Sequence, residues 1–310
     1  MRCGRTRRPW LLAVAILALL APAGCAKKSS LPTGVSSIPV GLDACGSFNV
    51  LRPIDFPEQP RNTNRWYPLV PGMQFVLEGR ANRGGGPLPH RVVFTVTDLT
   101  KVINGVRTVV LWDIDINNNV LSEAELAFHA QDNAGNSWNL GEYPEEYEAG
   151  QFVGAPNTWI AGIHGAEAGI LVPHGVNIGE TYLQGFAPDI NFLDCGMTFT
   201  IGKEACVPVG CFTDLLEVDE DSPLEPGSGH QRKFYAEGVG NILIGAVNDP
   251  EGETLVLAEL IRLTPEALAF ARSEALRLEA HAYQVSDTYR NTSPMELPGS
   301  ATRSVASLPR

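Results

Sequence analysis

Residues 91–142 alternate between apolar and polar side chains with the period of two that an extended strand requires. In the first run, Val92, Phe94 and Val96 fall on one side of the chain. Asn104 and Gly105 then predict a two-residue hairpin turn, because both residue types adopt positive φ angles readily. The same alternation resumes after this turn, so the first two strands are expected to pair.

Two more turns are predicted inside this segment, at residues 117–119 and 133–136. Between them a third strand runs from Leu121 to Gln131, with Ala124, Leu126 and Phe128 on one face. A fourth strand follows the second of these turns. Four consecutive strands joined by short turns predict an antiparallel meander.

Outside the meander, further extended runs and one helix are expected. The runs are Met73–Gly79, Thr181–Ala187, Phe192–Ile201, Ala205–Pro208, Phe212–Val218, Arg232–Ala236, Asn241–Ala246 and Thr254–Leu263. Thr264 and Pro265 are typical of a helix start, and an apolar stripe at helical spacing follows. The sequence therefore predicts a mainly β fold, with an antiparallel meander that forms a curved sheet, a half-barrel or a sandwich, and one C-terminal helix.

Two stretches are predicted to be irregular. The acidic aromatic run from Glu142 to Glu148 contains Pro144 and is interpreted as a loop rather than a central strand. Residues 150–179 are rich in glycine and proline and form the longest non-periodic stretch of the domain. Long loops on β scaffolds often carry function, so this second stretch is a candidate ligand-binding loop.

The first 24 residues resemble an export signal, with four arginines before an apolar run too short to span a bilayer. Ala23-Gly24-Cys25 resembles the lipobox of bacterial lipoproteins, which predicts lipidation at Cys25 and a membrane anchor. Cleavage after Ala23 would instead give a freely secreted protein, and Arg7-Arg8 loosely resembles a twin-arginine signal. Either route places the mature chain outside the cytoplasm.

The expected organisation has five parts. They are a signal peptide at 1–24, a tether and N-terminal extension at 25–64, an antiparallel β domain at 65–263, a helix at 264–284 and a disordered tail at 285–310. Removal of the signal peptide leaves 19 of the 23 basic residues against 35 acidic ones, a net charge of −16. Such a surface repels a phosphate backbone, so no nucleic-acid partner is expected.

Four cysteines remain in the mature domain, and an oxidising compartment favours two disulfides among the three connectivities they allow. Cys206 and Cys211 flank the turn-forming sequence Val-Pro-Val-Gly and are expected to face each other at the base of a hairpin. Cys45 would then pair with Cys195. The four cysteines contain no Cys-x-x-Cys pair, which argues against zinc or thioredoxin chemistry.

Several groups of polar residues could suggest a site, but none has the spacing of a known motif. Asp113, Asp115 and Asn117–Asn119 mimic the opening of a calcium loop, yet Asn118 and Ala124 stand where glycine and glutamate are required, so a hairpin turn is favoured. The histidines at positions 90, 129, 164 and 174 lack a short metal-ligand spacing, although Glu167 and Glu180 lie near the last two.

The remaining candidates are acidic and nucleophilic. A carboxylate cluster could bind calcium or cleave glycosides, but a solvated strand edge is favoured for it. Its members are Glu217, Asp219, Glu220, Asp221 and Glu225. Ser228 and His230 are close in sequence only, without a nucleophile elbow. No catalytic, cofactor-binding or metal-binding residue is therefore predicted, and no cofactor is expected.

The order of the blocks WYPLVPGMQFVLEG, VVFTVTDLTKVINGVRTVVLWD, TWIAGIHGAEAGILVP and VPVGCFTDLLEVDE resembles a family of uncharacterised secreted bacterial proteins and lipoproteins, over residues 65–263. That resemblance implies no site residue. The last of these blocks and KFYAEGVGNIL are also similar to the half-barrel sheets of lipid-handling lipoproteins of the LolA and LolB type.

Three functions stay open. The first is a membrane-anchored binding module whose concave sheet, or the loop at 150–179, holds an apolar or amphiphilic ligand. The second is an extracytoplasmic hydrolase, which would need a cleft that joins His164 or His174 to carboxylates. The third is a structural envelope protein that binds another protein. Because no nucleophile or metal motif is present, the first hypothesis is preferred.

Overall fold

The computed structural model describes residues 42–46 and 48–298, and it contains fourteen strands and one long helix. The strands are β1 (Met73–Asn82), β2 (Pro87–Ile103), β3 (Val106–Asn117), β4 (Val120–Gln131), β5 (Ser137–Glu148), β6 (Gln151–Gly154), β7 (Trp159–Ile160), β8 (Glu167–Val172), β9 (Thr181–Ala187), β10 (Phe192–Val207), β11 (Gly210–Asp221), β12 (His230–Ala236), β13 (Gly240–Val247) and β14 (Thr254–Arg262). Helix α1 spans Pro265–Val285, and short 3₁₀ helices lie at Leu42–Cys45, Pro53–Asp55, Pro188–Ile190 and Tyr289–Asn291.

Twelve of these strands close into an antiparallel barrel. Around the barrel the order is β4-β3-β2-β1-β14-β13-β12-β11-β10-β9-β8-β5, and the β4–β5 pairing closes the ring. The short strands β6 and β7 attach to β5 outside this ring. The predicted mainly β fold, with a curved antiparallel sheet and one helix near the C-terminus, is confirmed.

The predicted hairpin turns are confirmed, and they set the registers of the meander. Asn104 and Gly105 have φ angles of 46° and 79°, and the β2–β3 ladder closes on the pair Ile103 and Val106. Asn118 and Asn119 have φ angles of 49° and 63° and connect β3 to β4. These residues therefore form a hairpin turn and not a calcium loop, as their spacing favours.

Both stretches predicted to be irregular contain strands. The run from Glu142 to Glu148 belongs to β5, which pairs with β4 along its length, so the loop interpretation is wrong. On the side of β5 that does not face β4, Pro144 falls between the ladder to β7 and the ladder to β6. Because no strand pairs with Pro144 on that side, its missing N–H leaves no ladder bond unmade. Residues 150–179 likewise contain β6, β7 and the barrel strand β8.

Helix α1 packs on the outer face of the strands β2 to β5. Thr264 caps its first turn by accepting a hydrogen bond from the backbone N–H of Ala267 at 3.2 Å, as the sequence predicts. Trp112 of β3 contacts Phe270 of the helix edge to face, with ring centroids 6.3 Å apart. Among the described residues, no helix is both long enough and apolar enough to cross a membrane.

The chain after the helix is packed rather than disordered as far as residue 298. Tyr289 is fully buried and Met295 is 8% exposed, and Thr100 forms a β-bridge with Glu296. The expected disorder of 285–310 is therefore wrong for this part. Tyr289 and Met295 stand in a Ser- and Pro-rich stretch without a periodic pattern, so the sequence does not indicate that they are buried. In the structure they fill the space between α1 and the barrel.

One end of the barrel is closed by the segment before β1. Asn64 is buried, and its amide nitrogen donates to the carbonyl oxygens of Gly135 and Val172 at 2.9 and 3.2 Å. Its side-chain oxygen accepts from the backbone N–H groups of Trp66 and Tyr67. This segment, residues 64–69, is called the plug below. The opposite end, with the β1–β2, β3–β4 and β11–β12 connections, is called the mouth.

Two disulfides are present, Cys45–Cys195 and Cys206–Cys211, the pairs that the sequence analysis expects. The first joins the N-terminal extension to β10, where Cys45 packs with Leu183, Phe186 and Leu193. The second links the facing positions of the β10–β11 hairpin. The predicted signal peptide, Cys25 and the residues after 298 lie outside the described residues.

Candidate functional site

The interior of the barrel contains a partly open cavity of about 290 Å³, called the lumen cavity here. Its lining comes from strands all around the ring, including β1, β2, β3, β4, β5, β12, β13 and β14, and from Tyr67, Pro68 and Leu69 of the plug. Because successive residues of a strand face opposite sides, every second residue of these strands reaches the cavity. A volume near 300 Å³ is at the lower end of the range for small-molecule sites.

One part of the wall is apolar and aromatic. Phe75, Leu77, Val92, Phe94 and Leu255 contribute to it from β1, β2 and β14. Tyr67 of the plug and Tyr235 of β12 also line the cavity, and their rings meet edge to face with centroids 6.2 Å apart. An apolar group that binds against this part of the wall would displace little besides water.

The rest of the wall is acidic. Five carboxyl side chains line the cavity, from Asp113, Asp115, Glu125, Glu142 and Glu253. Three of them have neutral hydrogen-bond donors: Asn139 and Trp159 donate to Glu142 at 2.6 and 3.0 Å, Ser122 donates to Asp115 at 2.8 Å, and Gln231 donates to Glu253 at 3.2 Å. Asp113 differs, because its Oδ1 has no hydrogen-bond partner among the described residues.

Burial and mutual repulsion favour the neutral form of several of these carboxyls. Burial first, and then the charges of Glu123 and Asp115, raise the pKa of Asp113 well above its ordinary value. Burial and the charge of Glu142 do the same to the pKa of Glu125. Glu123 lies in β4 near the mouth, and burial and the charge of Asp115 raise its pKa to about 7.

Few cations balance this acidic wall. Among the described residues, Lys233 of β12 is the only lysine or arginine in the cavity lining, and its Nζ lies 2.5 Å from a carboxylate oxygen of Glu220. His90 of β2 contacts Asp115 and Glu253, each at 3.3 Å, and Glu253 also pairs with Arg83 at 3.1 Å. His129 also lines the cavity, but burial, and then the charge of Lys233, lower its pKa to about 3, so it is neutral. Within the described part of the chain, no lysine or arginine pairs with Asp113 or Glu125.

Two further pockets adjoin the lumen cavity on the mouth side. One, of about 380 Å³, shares Glu125 and Glu142 with it and extends to Trp159 and Asp194. The other, of about 390 Å³, shares Gln231 and Lys233 and extends to Glu220 and the β11–β12 connection. Burial raises the pKa of Asp194 to about 7 although Ser222 donates to it. The acidic character therefore continues from the cavity to the mouth.

The structure separates the histidines that the sequence analysis considers together. His164 is exposed and pairs with Asp189 at 3.3 Å, and the backbone N–H of His174 donates to Asn136 at the plug end. Neither lines the lumen cavity, whereas His90 and His129 do. In the described part of the chain, no group of three or more metal-binding side chains is arranged to hold a metal ion. The cleft required for the hydrolase hypothesis, which would join His164 or His174 to carboxylates, is therefore not formed by these residues.

The acidic cluster near residues 217–225 is not a solvated edge, which corrects the sequence interpretation. Its strand, β11, lies between β10 and β12. Glu217 is 1% exposed and pairs with Lys203 at 2.7 Å and with Arg232 at 3.1 Å. Arg232 also pairs with Asp219. These ion pairs lie on the outer face of the barrel, while Glu220 of the same strand faces inward to Lys233.

Ser228 and His230 are not brought together. The Ser228 hydroxyl donates to the backbone oxygen of Glu225, and His230 contacts Asp219 at 3.1 Å. Sequence reasoning missed the positions of three carboxyls: Asp113 and Glu125, which line the lumen cavity, and Glu123, which lines the adjoining pocket. Their signal is the spacing of two residues within β3 and β4, which places them together on the face opposite Ala124 and Leu126.

The fold and the cavity together define a closed antiparallel barrel with a mixed apolar and acidic lumen. No protein-family model matches this chain, and no curated protein matches it. Two crystal structures are similar: a candidate lipoprotein of Parabacteroides distasonis, with 14% identity and a TM-score of 0.30 over 64% of this chain and 99% of the other, and a candidate exported protein of Bacteroides fragilis with a YmcC-like fold, with 17% identity and a TM-score of 0.28 over 62% and 96%. No inference about this chain rests on likenesses this weak.

Proposed function

We propose that this protein is an extracytoplasmic binding protein whose lumen cavity holds a small apolar or amphiphilic ligand. The observation that carries the proposal is the cavity itself, which has an apolar aromatic wall on one side and polar groups on the other. Proteins pack their interiors densely, so a cavity of this size is retained only at a cost in stability. A ligand that fills the apolar wall would offset that cost. The resemblance of two sequence blocks to the LolA and LolB type stays a prediction.

The cavity can be tested by filling it. Val92 lines the lumen cavity, and its neighbour Val93 faces the other side of β2. We expect Val92→Trp to weaken the binding of an eight-carbon amphiphile at least tenfold, because the indole occupies the ligand's space. Three probes cover the three charges: octylammonium, 1-octanol and octanoate. Isothermal titration calorimetry measures the affinity of each for the wild type and the variant.

Val93→Trp is the matched control, since it adds the same side chain to the opposite face of the strand. It is expected to bind all three probes as the wild type does. Overpacking costs about 1–3 kcal/mol, so a thermal melt of both variants establishes that they are folded at the assay temperature. The proposal is wrong if none of the three probes binds the wild type, or if the two tryptophan variants bind equally well.

We further propose that the chain is exported and anchored by a lipid on Cys25. Support comes from the signal-like first 24 residues, the Ala-Gly-Cys sequence and the two disulfides, which persist in oxidising compartments. Cys25→Ala is expected to move the protein from the membrane fraction to the soluble fraction without lowering its melting temperature, since the barrel begins at Met73. Intact mass measurement of the mature wild type should show added acyl chains. A mature N-terminus at Gly24 without acyl chains would show free secretion instead.

A further inference from the structure

We infer that the ligand of the lumen cavity is a small organic cation, an amine or ammonium group that carries an apolar chain or ring. The inference rests on the proposed function and names the chemical class that the cavity would select. Three independent features of the wall support it: the unpaired oxygen of Asp113, the charge balance, and the tyrosines next to the carboxyls.

The first feature is the Asp113 side chain. It lines the cavity from β3, and its Oδ1 is inaccessible and has no hydrogen-bond partner among the described residues. A buried polar atom without a partner costs about 1–3 kcal/mol. An ammonium group has only donors to offer, so it would pair with the Asp113 carboxylate where that side chain lines the cavity, without leaving a polar atom of its own unpaired.

The second feature is the charge balance around Asp113. Carboxyls from β3, β4, β5 and the β13–β14 connection line the same cavity, and in the described part of the chain Lys233 is the only lysine or arginine of the lining. Lys233 already pairs with Glu220 at 2.5 Å, and Arg83 pairs with Glu253 at 3.1 Å, so neither provides a counter-charge for Asp113 or Glu125. Burial and neighbouring carboxylates therefore favour the neutral forms of Asp113 and Glu125 when no cation is bound. An anionic or neutral ligand would bring no counter-charge, whereas a cation would stabilise the ionised carboxylates.

The third feature is the position of aromatic rings beside the carboxyls. Tyr67, Phe75, Phe94 and Tyr235 line the cavity together with Asp113 and Glu125. Aromatic faces attract cations, by about 0.5–2 kcal/mol for each well-placed ring. The same rings bury the apolar part of the ligand. Carboxyls and rings in one cavity therefore suit both ends of an organic ammonium ion.

The test compares the three eight-carbon probes in the wild-type protein. Octylammonium is expected to bind at least tenfold more tightly than 1-octanol, and octanoate to bind most weakly. The order should depend on the luminal carboxyls. In the double variant Asp113→Asn, Glu125→Gln, we expect octylammonium to lose at least tenfold in affinity while 1-octanol changes less than threefold.

A matched control removes a carboxylate from the outer face of the barrel. Glu78 of β1 is exposed and pairs with Arg91 across the strand. Glu78→Gln is expected to leave all three affinities unchanged. Both variants exchange carboxyls for amides of the same shape, and the luminal exchange removes repulsion, so the double variant should melt no lower than the wild type. A loss of octylammonium binding together with a lower melting temperature would instead indicate that the barrel was damaged.

The pH dependence gives a second readout. Octylammonium stays charged up to pH 8, whereas Glu123, which repels Glu125 from the adjoining pocket, has a pKa of about 7, and burial raises the pKa values of Asp113 and Glu125. Octylammonium affinity should therefore rise from pH 5 to pH 8, and 1-octanol affinity should not. The charged and titratable groups that face these carboxyls are Tyr67, His90, Asp115, His129, Glu142, Glu146, Asp194, Glu220, Lys233, Tyr235 and Glu253.

The inference is overturned if 1-octanol or octanoate binds as tightly as octylammonium, or if the double variant binds octylammonium like the wild type. Either result would leave the binding function intact, provided that Val92→Trp still removes binding. If no probe binds at all, both the function and the ligand class fail.

Discussion

Removal of the Cys45–Cys195 disulfide is expected to lower the free energy of unfolding by about 5 kcal/mol, against about 2 kcal/mol for Cys206–Cys211. The two bonds close loops with sequence separations of 150 and 5 residues, and a longer loop restricts the unfolded chain more. The first bond also holds Cys45 among Leu183, Phe186 and Leu193, so the N-terminal extension loses its fixed position with it.

The comparison uses two double variants, so that no free thiol remains. Cys45→Ala, Cys195→Ala and the matched Cys206→Ala, Cys211→Ala are each unfolded in guanidinium chloride, and the free energies are compared with that of the wild type at equal slope. Equal losses for the two pairs, or a larger loss for the hairpin pair, would contradict the loop-length argument. Peptide mapping without reductant checks the connectivity itself.

Local features of this chain could be predicted because a few neighbouring residues determine them. Asn104 and Gly105 take the positive φ angles of their turn, and Thr264 caps α1, wherever the rest of the chain goes. The curved antiparallel sheet follows from many such turns. Pro144 shows the limit of this reasoning, since its place in β5 depends on where the ladders to β6 and β7 begin and end, which no local pattern shows.

The lumen cavity could not be predicted, because the barrel wall of β3 and β4 is covered on both faces. The alternation places Ala124, Leu126 and Phe128 on one face of the third predicted strand, but it does not show whether the opposite face meets solvent or a lumen. In the structure the apolar face packs near α1, and Asp113 and Glu125 face the lumen. Similarly, the carboxylate of Glu217 is buried because Arg232, fifteen residues later, lies on the next strand.

The tail after α1 is held by one carboxylate, Glu279, which is 5% exposed. It accepts hydrogen bonds from Lys101 Nζ at 2.8 Å, from the Tyr289 hydroxyl at 3.2 Å and from the backbone N–H of Met295 at 3.0 Å. Lys101 is itself fully buried, and burial lowers its pKa although Glu279 opposes that shift. A single side chain thus connects β2, the helix and the tail.

Glu279→Gln is therefore expected to destabilise the protein by about 3–5 kcal/mol, because it leaves the buried ammonium of Lys101 without a counter-charge. The matched control is Glu274→Gln on the same helix, where Glu274 pairs with the exposed Arg277, and a loss of at most about 1 kcal/mol is expected. The double variant Lys101→Met, Glu279→Gln should recover part of the loss, since no charge is then buried. Equilibrium unfolding measures all three, and equal effects of the two glutamine variants would show that the buried pair does not hold the tail.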